Sequence, residues 1–149
     1  MRKIILIALI SLFSIGLFAQ DTGVGIGMIV GEPTGFSAKL WTSERTAVDA
    51  AVGWSYYNRG RFHIQSDFLF HNYDLFDVGS GELLLYYGAG AFLAFSSELG
   101  LGLRAPIGVA YHFEDVPVEI FSEIAPGIAF YFPQVRFYFG GGFGARYYF

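Results

Sequence analysis

The residues of this 149-residue chain that could do chemistry are few and scattered. Three histidines, His63, His71 and His112, accompany thirteen acidic residues and no cysteine. Nucleophilic catalysis needs a Ser, a His and an acid converging on one side. His63 and Ser66 are three apart, which in an extended strand sends them to opposite faces. Glu119 and Glu123 share a face and could suggest general acid–base work, but four residues of strand rise separate them by roughly 13 Å. That is too far for a carboxylate pair sharing a proton. Three dispersed histidines without cysteine do not have metal-ligand spacing. The residues therefore assign no catalytic, cofactor-binding or metal site, and the chain is not read as an enzyme.

What the charged residues do share is parity within alternating segments. From Val135 to Phe149 the chain alternates without a slip. Val135, Phe137, Phe139, Gly141, Phe143, Ala145, Tyr147 and Phe149 fall on one side, and Arg136, Tyr138, Gly140, Gly142, Gly144, Arg146 and Tyr148 on the other. Aromatics on one face against glycines, tyrosines and arginines on the opposite one suit a strand between lipid and a crowded polar interior. The same pattern recurs upstream. Strands are expected near 22–30, 36–41, 48–56, 61–73, 82–95, 99–113 and 118–132, with turns at Gly31–Gly35, Thr42–Arg45, Asn58–Gly60, Ser96–Glu98, Glu114–Pro117 and Pro133–Gln134. Asp74–Gly81 is the longest connection. Pro106 lacks an amide donor, so a bulge or a local opening is expected in the sixth strand. An open sheet in lipid would leave two edges unpaired, so the first and eighth strands must meet. The fold class is therefore all-β, an eight-stranded antiparallel up-and-down transmembrane β-barrel.

By parity the inner face carries Lys39, Arg104, Arg136 and Arg146 against Asp49, Asp67, Glu119 and Glu123, four of each sign. The turns predict Lys39 beside Asp49, Asp67 one step from Asp49, His112 opposite Glu119, and Arg146 diagonal to both Glu119 and Glu123. Eight strands leave an interior that side chains fill, so a lumen plugged by ion pairs is expected. Outward Trp54, Tyr56, Tyr87, Tyr111 and Tyr147 read as interfacial aromatic girdles.

Arg2 and Lys3, the apolar run Ile4–Phe18, then Ala19 followed by Gln20 and Asp21 have the layout of a secretory signal peptide cleaved after residue 19. Residues 20–149 would be the barrel domain. Removing Arg2 and Lys3 leaves seven basic against thirteen acidic residues, a net charge of −6, which argues against nucleic-acid binding. Without cysteine an exported chain must rely on strand pairing and packing.

The run 23–55 (GVGIGMIVGEPTGFSAKLWTSERTAVDAAVGWS), the segment 106–126 (PIGVAYHFEDVPVEIFSEIAP) and the ending GARYYF resemble a family of small bacterial outer-membrane β-barrel proteins. More broadly the chain is similar to the eight-stranded barrel of outer membrane protein A and its short relatives. The resemblance implies an integral outer-membrane location, lipid as the main partner, and an aromatic C-terminal signal at Phe149 read by the barrel-assembly machinery. A monomer with a structural or envelope role is expected, with a narrow pore or small-ligand barrel as the alternative and a lipid-modifying enzyme behind both. With both termini in the periplasm, an even strand count puts Asp74–Gly81 on the periplasmic side, against the family's habit of keeping long loops outside.

Overall fold

A computed structural model describes residues 23–56 and 60–149. The expected signal peptide and the tip of the third turn, Asn58 and Arg59, lie outside the described residues. Nine strand segments follow one another: β1 (Val24–Glu32), β2 (Thr34–Trp41), β3 (Thr46–Ser55), β4 (Arg61–Asn72), β5 (Glu82–Phe95), β6 (Leu99–Arg104), β7 (Ile107–His112), β8 (Val118–Tyr131) and β9 (Gln134–Tyr148). Every pairing is antiparallel, and β1 pairs with β9 from Gly25↔Tyr148 to Glu32↔Gly141. The sheet is thus a closed ring with no free edge.

β6 and β7 are the two halves of one expected strand, so the ring has eight positions. The break falls at Ala105 and Pro106, where the missing amide donor interrupts the ladder. It is an opening without a bulge. Gly90 faces Arg104 and Tyr87 faces Ile107, so two residues lie between on each strand and the register is unchanged. The carbonyl of Pro106 still accepts from Gly88 N at 3.0 Å, and Ala105 N donates to Pro126 O at 2.9 Å.

Register also fixes the tilt. One row of paired residues runs Gly25, Lys39, Asp49, Asp67, Gly90, Arg104, Gly127, Tyr138. Gly25's own partner on β9 is Tyr148, ten residues beyond Tyr138. A stagger of ten at about 3.3 Å per residue, over eight strands about 4.8 Å apart, inclines the strands by about 40°. The 12 residues of β4 then span roughly 30 Å along the ring axis.

The two ends of the ring differ. One, the terminal mouth, gathers Gly23, Phe149, the β2–β3 and β7–β8 turns and the 73–81 connection. That connection is tied down: Ser80 Oγ donates to Glu114 Oε2 at 2.8 Å, Tyr111 OH to Ser80 O at 2.8 Å, and Tyr73 OH to Glu44 O at 3.0 Å. Burial pushes the Tyr73 phenol up to about 12, which keeps it a donor. The longest connection therefore does share an end with both described chain ends, as the eight-strand count required. The other end, the distal mouth, carries the β1–β2, β3–β4, β5–β6 and β8–β9 turns.

Candidate functional site: the charged interior

Side chains of one parity point into the ring and are buried, while those of the other are exposed and apolar. Between the strand ends, every charged side chain of the described strands is on the inner face. Lys39, Asp49, Asp67, Arg104, Glu119, Glu123 and Arg146 are each at most 5% exposed. The pairing row explains part of this, since Lys39, Asp49, Asp67 and Arg104 all lie on it.

Glu119 is one hub. Its Oε2 accepts from Lys39 Nζ at 3.0 Å, His112 Nε2 at 2.6 Å and Tyr148 OH at 3.0 Å, and its Oε1 from Arg146 Nη1 at 2.7 Å. Arg146 extends the cluster, donating through Nη2 to Asp49 Oδ2 at 3.0 Å and through Nε to Ser37 Oγ at 2.9 Å. Its guanidinium lies 3.9 Å from the centre of the Phe121 ring, a cation–π contact in a dry setting.

Arg104 is the second hub. It reaches Glu123 Oε1 at 2.5 Å, lies 3.2 Å from Asp67 Oδ1 and bonds Gln65 Oε1. The other oxygen of Glu123 accepts from Tyr86 OH at 2.9 Å. Gln65 Oε1 also receives His63 Nε2 at 3.1 Å; because that oxygen can only accept, His63 carries its proton on Nε2.

Two of the expected neighbour relations are found and two are shifted. Lys39 pairs with Asp49 and His112 with Glu119 in register, whereas Asp67 is directly opposite Asp49 and not one step away, and Arg146 is directly opposite Glu119 and not diagonal to Glu119 and Glu123, the latter pairing with Gly142. Yet Lys39 sends its ammonium to Glu119 on β8 and not to Asp49 beside it. In so narrow a ring, side chains meet across the interior as readily as along the sheet. A further difference is Arg136. Expected among the lumen charges, it lies at the distal mouth, exposed, bonding Gln134 Oε1 at 2.6 Å. Its parity is inward, but the register places it past the last layer of packed side chains. The buried tally is therefore three cations against four carboxylates. An exposed contact of this kind contributes little, so Arg136→Ala is expected to shift the urea-unfolding free energy by less than about 0.5 kcal/mol.

The interior is less polar than its charges suggest. Ile29, Leu69, Leu84, Tyr86, Ala110 and Phe121 form one buried cluster, and Phe92, Ala94, Ala129 and Tyr138 another. Leu84 and Phe92, large apolar residues on the inner face, are parts of these layers. Ile29, Leu69 and Phe121 could have been found from the same parity count. The inner glycines make room for the rings: a Cβ on Gly102 would lie 2.1 Å from Phe92 Cζ, and one on Gly144 2.6 Å from Phe121 Cζ.

The histidines all avoid the outer face. His63 stacks on Phe92 with centroids 5.0 Å apart, and His71 is tilted against Trp41 at 4.3 Å. Ser66 is outward, its hydroxyl given to Asp49 O at 3.0 Å. Trp54, Tyr56, Tyr87 and Tyr147 are exposed on the outside and Tyr111 is half-buried. They meet further rings: Trp54 with Phe62, Tyr87 with Phe70, Tyr111 with Phe113, and Tyr147 with the terminal Phe149. Among the described residues no group of three His, Cys, Asp or Glu side chains is placed to hold a metal ion.

Fold and interior together define a class: an all-β closed antiparallel ring with an apolar outside and an ion-paired inside. No protein-family model matches the chain, and comparisons with curated proteins and with solved structures find no match.

Proposed function

We propose that the chain is an integral bacterial outer-membrane β-barrel with a structural or envelope role, its lumen closed by its own side chains. The observation that carries this reading is the outer surface. Ile26, Met28, Phe36, Phe68, Leu101, Leu103, Ile124, Phe139 and Phe143 are between 43% and 68% exposed, and they belong to strands all round the ring. Soluble monomers rarely expose contiguous apolar patches above a few hundred Å²; a hydrocarbon solvent removes the cost. The axial span of roughly 30 Å is that of a bilayer core, and outward rings collect towards both ends, where headgroups would be. A closed ring satisfies its backbone without water. Lipid is then the principal partner, with the terminal Phe149 serving insertion by an assembly machinery.

The competing role is a narrow pore or small-ligand barrel, for which the glycine-rich inner face is the best argument. That space is taken up by rings: Tyr148 over Gly25, Phe92 over Gly102, Tyr86 over Gly108 and Tyr138 over Gly140. The refolded wild type is accordingly expected to be silent in single-channel recordings across a planar bilayer, and Arg146→Ala to leak without defined steps. Reproducible wild-type steps whose ion selectivity changes in Arg146→Ala would make the lumen a permeation path and overturn the structural role.

A further inference from the structure

The charged interior is closed off from the distal mouth by a layer of three rings. Phe92 and Tyr138 have centroids 4.3 Å apart, and His63 lies 5.0 Å from Phe92 and 6.0 Å from Tyr138. Above this floor is a recess of about 180 Å³ lined by Ser55, Arg61, Tyr131 and Arg136 as well as the floor itself. Its volume is below the range of about 300–1,000 Å³ typical of drug-sized ligands, but well above the roughly 30 Å³ of one water.

Two cations converge there. The Arg61 guanidinium is 4.4 Å from the centre of the Tyr131 ring, and that of Arg136 is 5.8 Å from the same ring. Arg61 Nε and Nη1 are buried and, among the described residues, have no hydrogen-bond partner, an unfavourable arrangement for the donors of a charged group. Among the described residues Arg136 hydrogen-bonds only the neutral Gln134 amide. Glu32, an acid at the same mouth, is engaged by Ser55 Oγ and by the Tyr56 amide at 3.1 Å. Two like charges beside one ring, both lining one recess, favour an anion there.

We infer that the distal mouth is a binding site for a small oxyanion, a phosphate or phosphate headgroup, held between Arg61 and Arg136 over the His63–Phe92–Tyr138 floor. Guanidinium forks match phosphate oxygens in pairs; Ser55 and Tyr138 line the same space, their hydroxyls turned to Glu32. The floor stops the anion at the mouth, so this is a docking site and not an entrance to the lumen. It stands on the ring's end alone and does not depend on the outer face meeting lipid.

The test is calorimetric titration of inorganic phosphate into the refolded full chain in an uncharged detergent, at low salt. Saturable 1:1 binding is expected, weakened at least tenfold in Arg61→Gln and in Arg136→Gln and lost in the double variant. Arg45→Gln, a cation at the opposite mouth, should bind as the wild type does. Circular dichroism confirms that each variant holds its strands, and a side-chain ¹⁵N resonance of Arg61 Nε that moves on titration locates the ion independently. A short-chain phosphatidic acid that binds at least tenfold tighter than phosphate, with the same arginine dependence, identifies a lipid headgroup as the natural ligand; equal affinities identify a free oxyanion. Absence of saturable binding of either probe, or binding unchanged in the double variant, overturns the proposal.

Discussion

Arg146→Ala is expected to lower the unfolding free energy of the refolded protein by about 3–5 kcal/mol, the usual consequence of removing one partner from a buried ion pair. Arg146 is 3% exposed and holds two carboxylates at once, Glu119 at 2.7 Å and Asp49 at 3.0 Å. The losses differ between them. Glu119 keeps Lys39, His112 and Tyr148. Among the described residues Asp49 keeps no comparable donor: its Oδ1 is already buried without a hydrogen bond, and the residue opposite is Asp67. Two acids facing each other across a strand pair repel, so the guanidinium of Arg146 on Asp49, with that of Arg104 on Asp67, is what makes that pairing tolerable.

Adding Asp49→Asn to Arg146→Ala should therefore recover part of the loss, with a coupling energy of about 0.5–3 kcal/mol in a double-mutant cycle. Urea titration in detergent micelles reads each variant. A loss under about 1 kcal/mol in Arg146→Ala, or strict additivity in the cycle, would mean that the interior charges are solvated and the layer is looser than its burial indicates.

If the outer face meets lipid as proposed, Leu103→Arg is expected to cost about 2–4 kcal/mol in a bilayer, the penalty of a lipid-facing arginine near the midplane. Leu103 is 61% exposed and sits at the centre of the strand formed by β6 and β7, paired with Ala91 and Ile128. Its neighbour Arg104 carries the same charge inward and is held by Glu123 and Asp67, so one step along the chain separates an indispensable arginine from an intolerable one. The control is Phe132→Arg in the β8–β9 turn, where Phe132 is 99% exposed and depth-dependent penalties fall to about 0–1 kcal/mol. Folding yield into vesicles and urea unfolding from them measure both. If the outer face meets water, Leu103→Arg will be neutral within about 0.5 kcal/mol and will improve solubility, which would remove the membrane assignment while leaving the ring intact.

Much of this architecture is legible in the sequence because strand parity is a local property. A residue's face depends only on its distance along the chain from its neighbours, so Lys39, Asp49, Asp67, Arg104, Glu119, Glu123 and Arg146 could be assigned inward without knowing what they touch. Short turns fix register, which is why Lys39 faces Asp49 and His112 faces Glu119 as the turn positions require. Pro106 announces a gap in the ladder by chemistry alone, and closure of the first strand on the last follows from the need to pair every edge.

Contacts across the ring were beyond that reach. Lys39 choosing Glu119, Arg146 spanning Asp49 and Ser37, and Arg104 reaching two strands over to Asp67 depend on the stagger of ten and the bore it sets. Those quantities belong to the closed sheet and to no single segment. The same holds for Arg136. Its parity is that of a lumen residue, but whether an inward residue is buried or stands in the mouth is decided by its height in the ring, which accumulates register by register around all eight positions. Height also gathers Arg61, Tyr131 and Arg136, from three different strands, over one aromatic floor. Alternation along the chain thus determined what faces in; the tilt and width of the closed ring decided which of those residues meet.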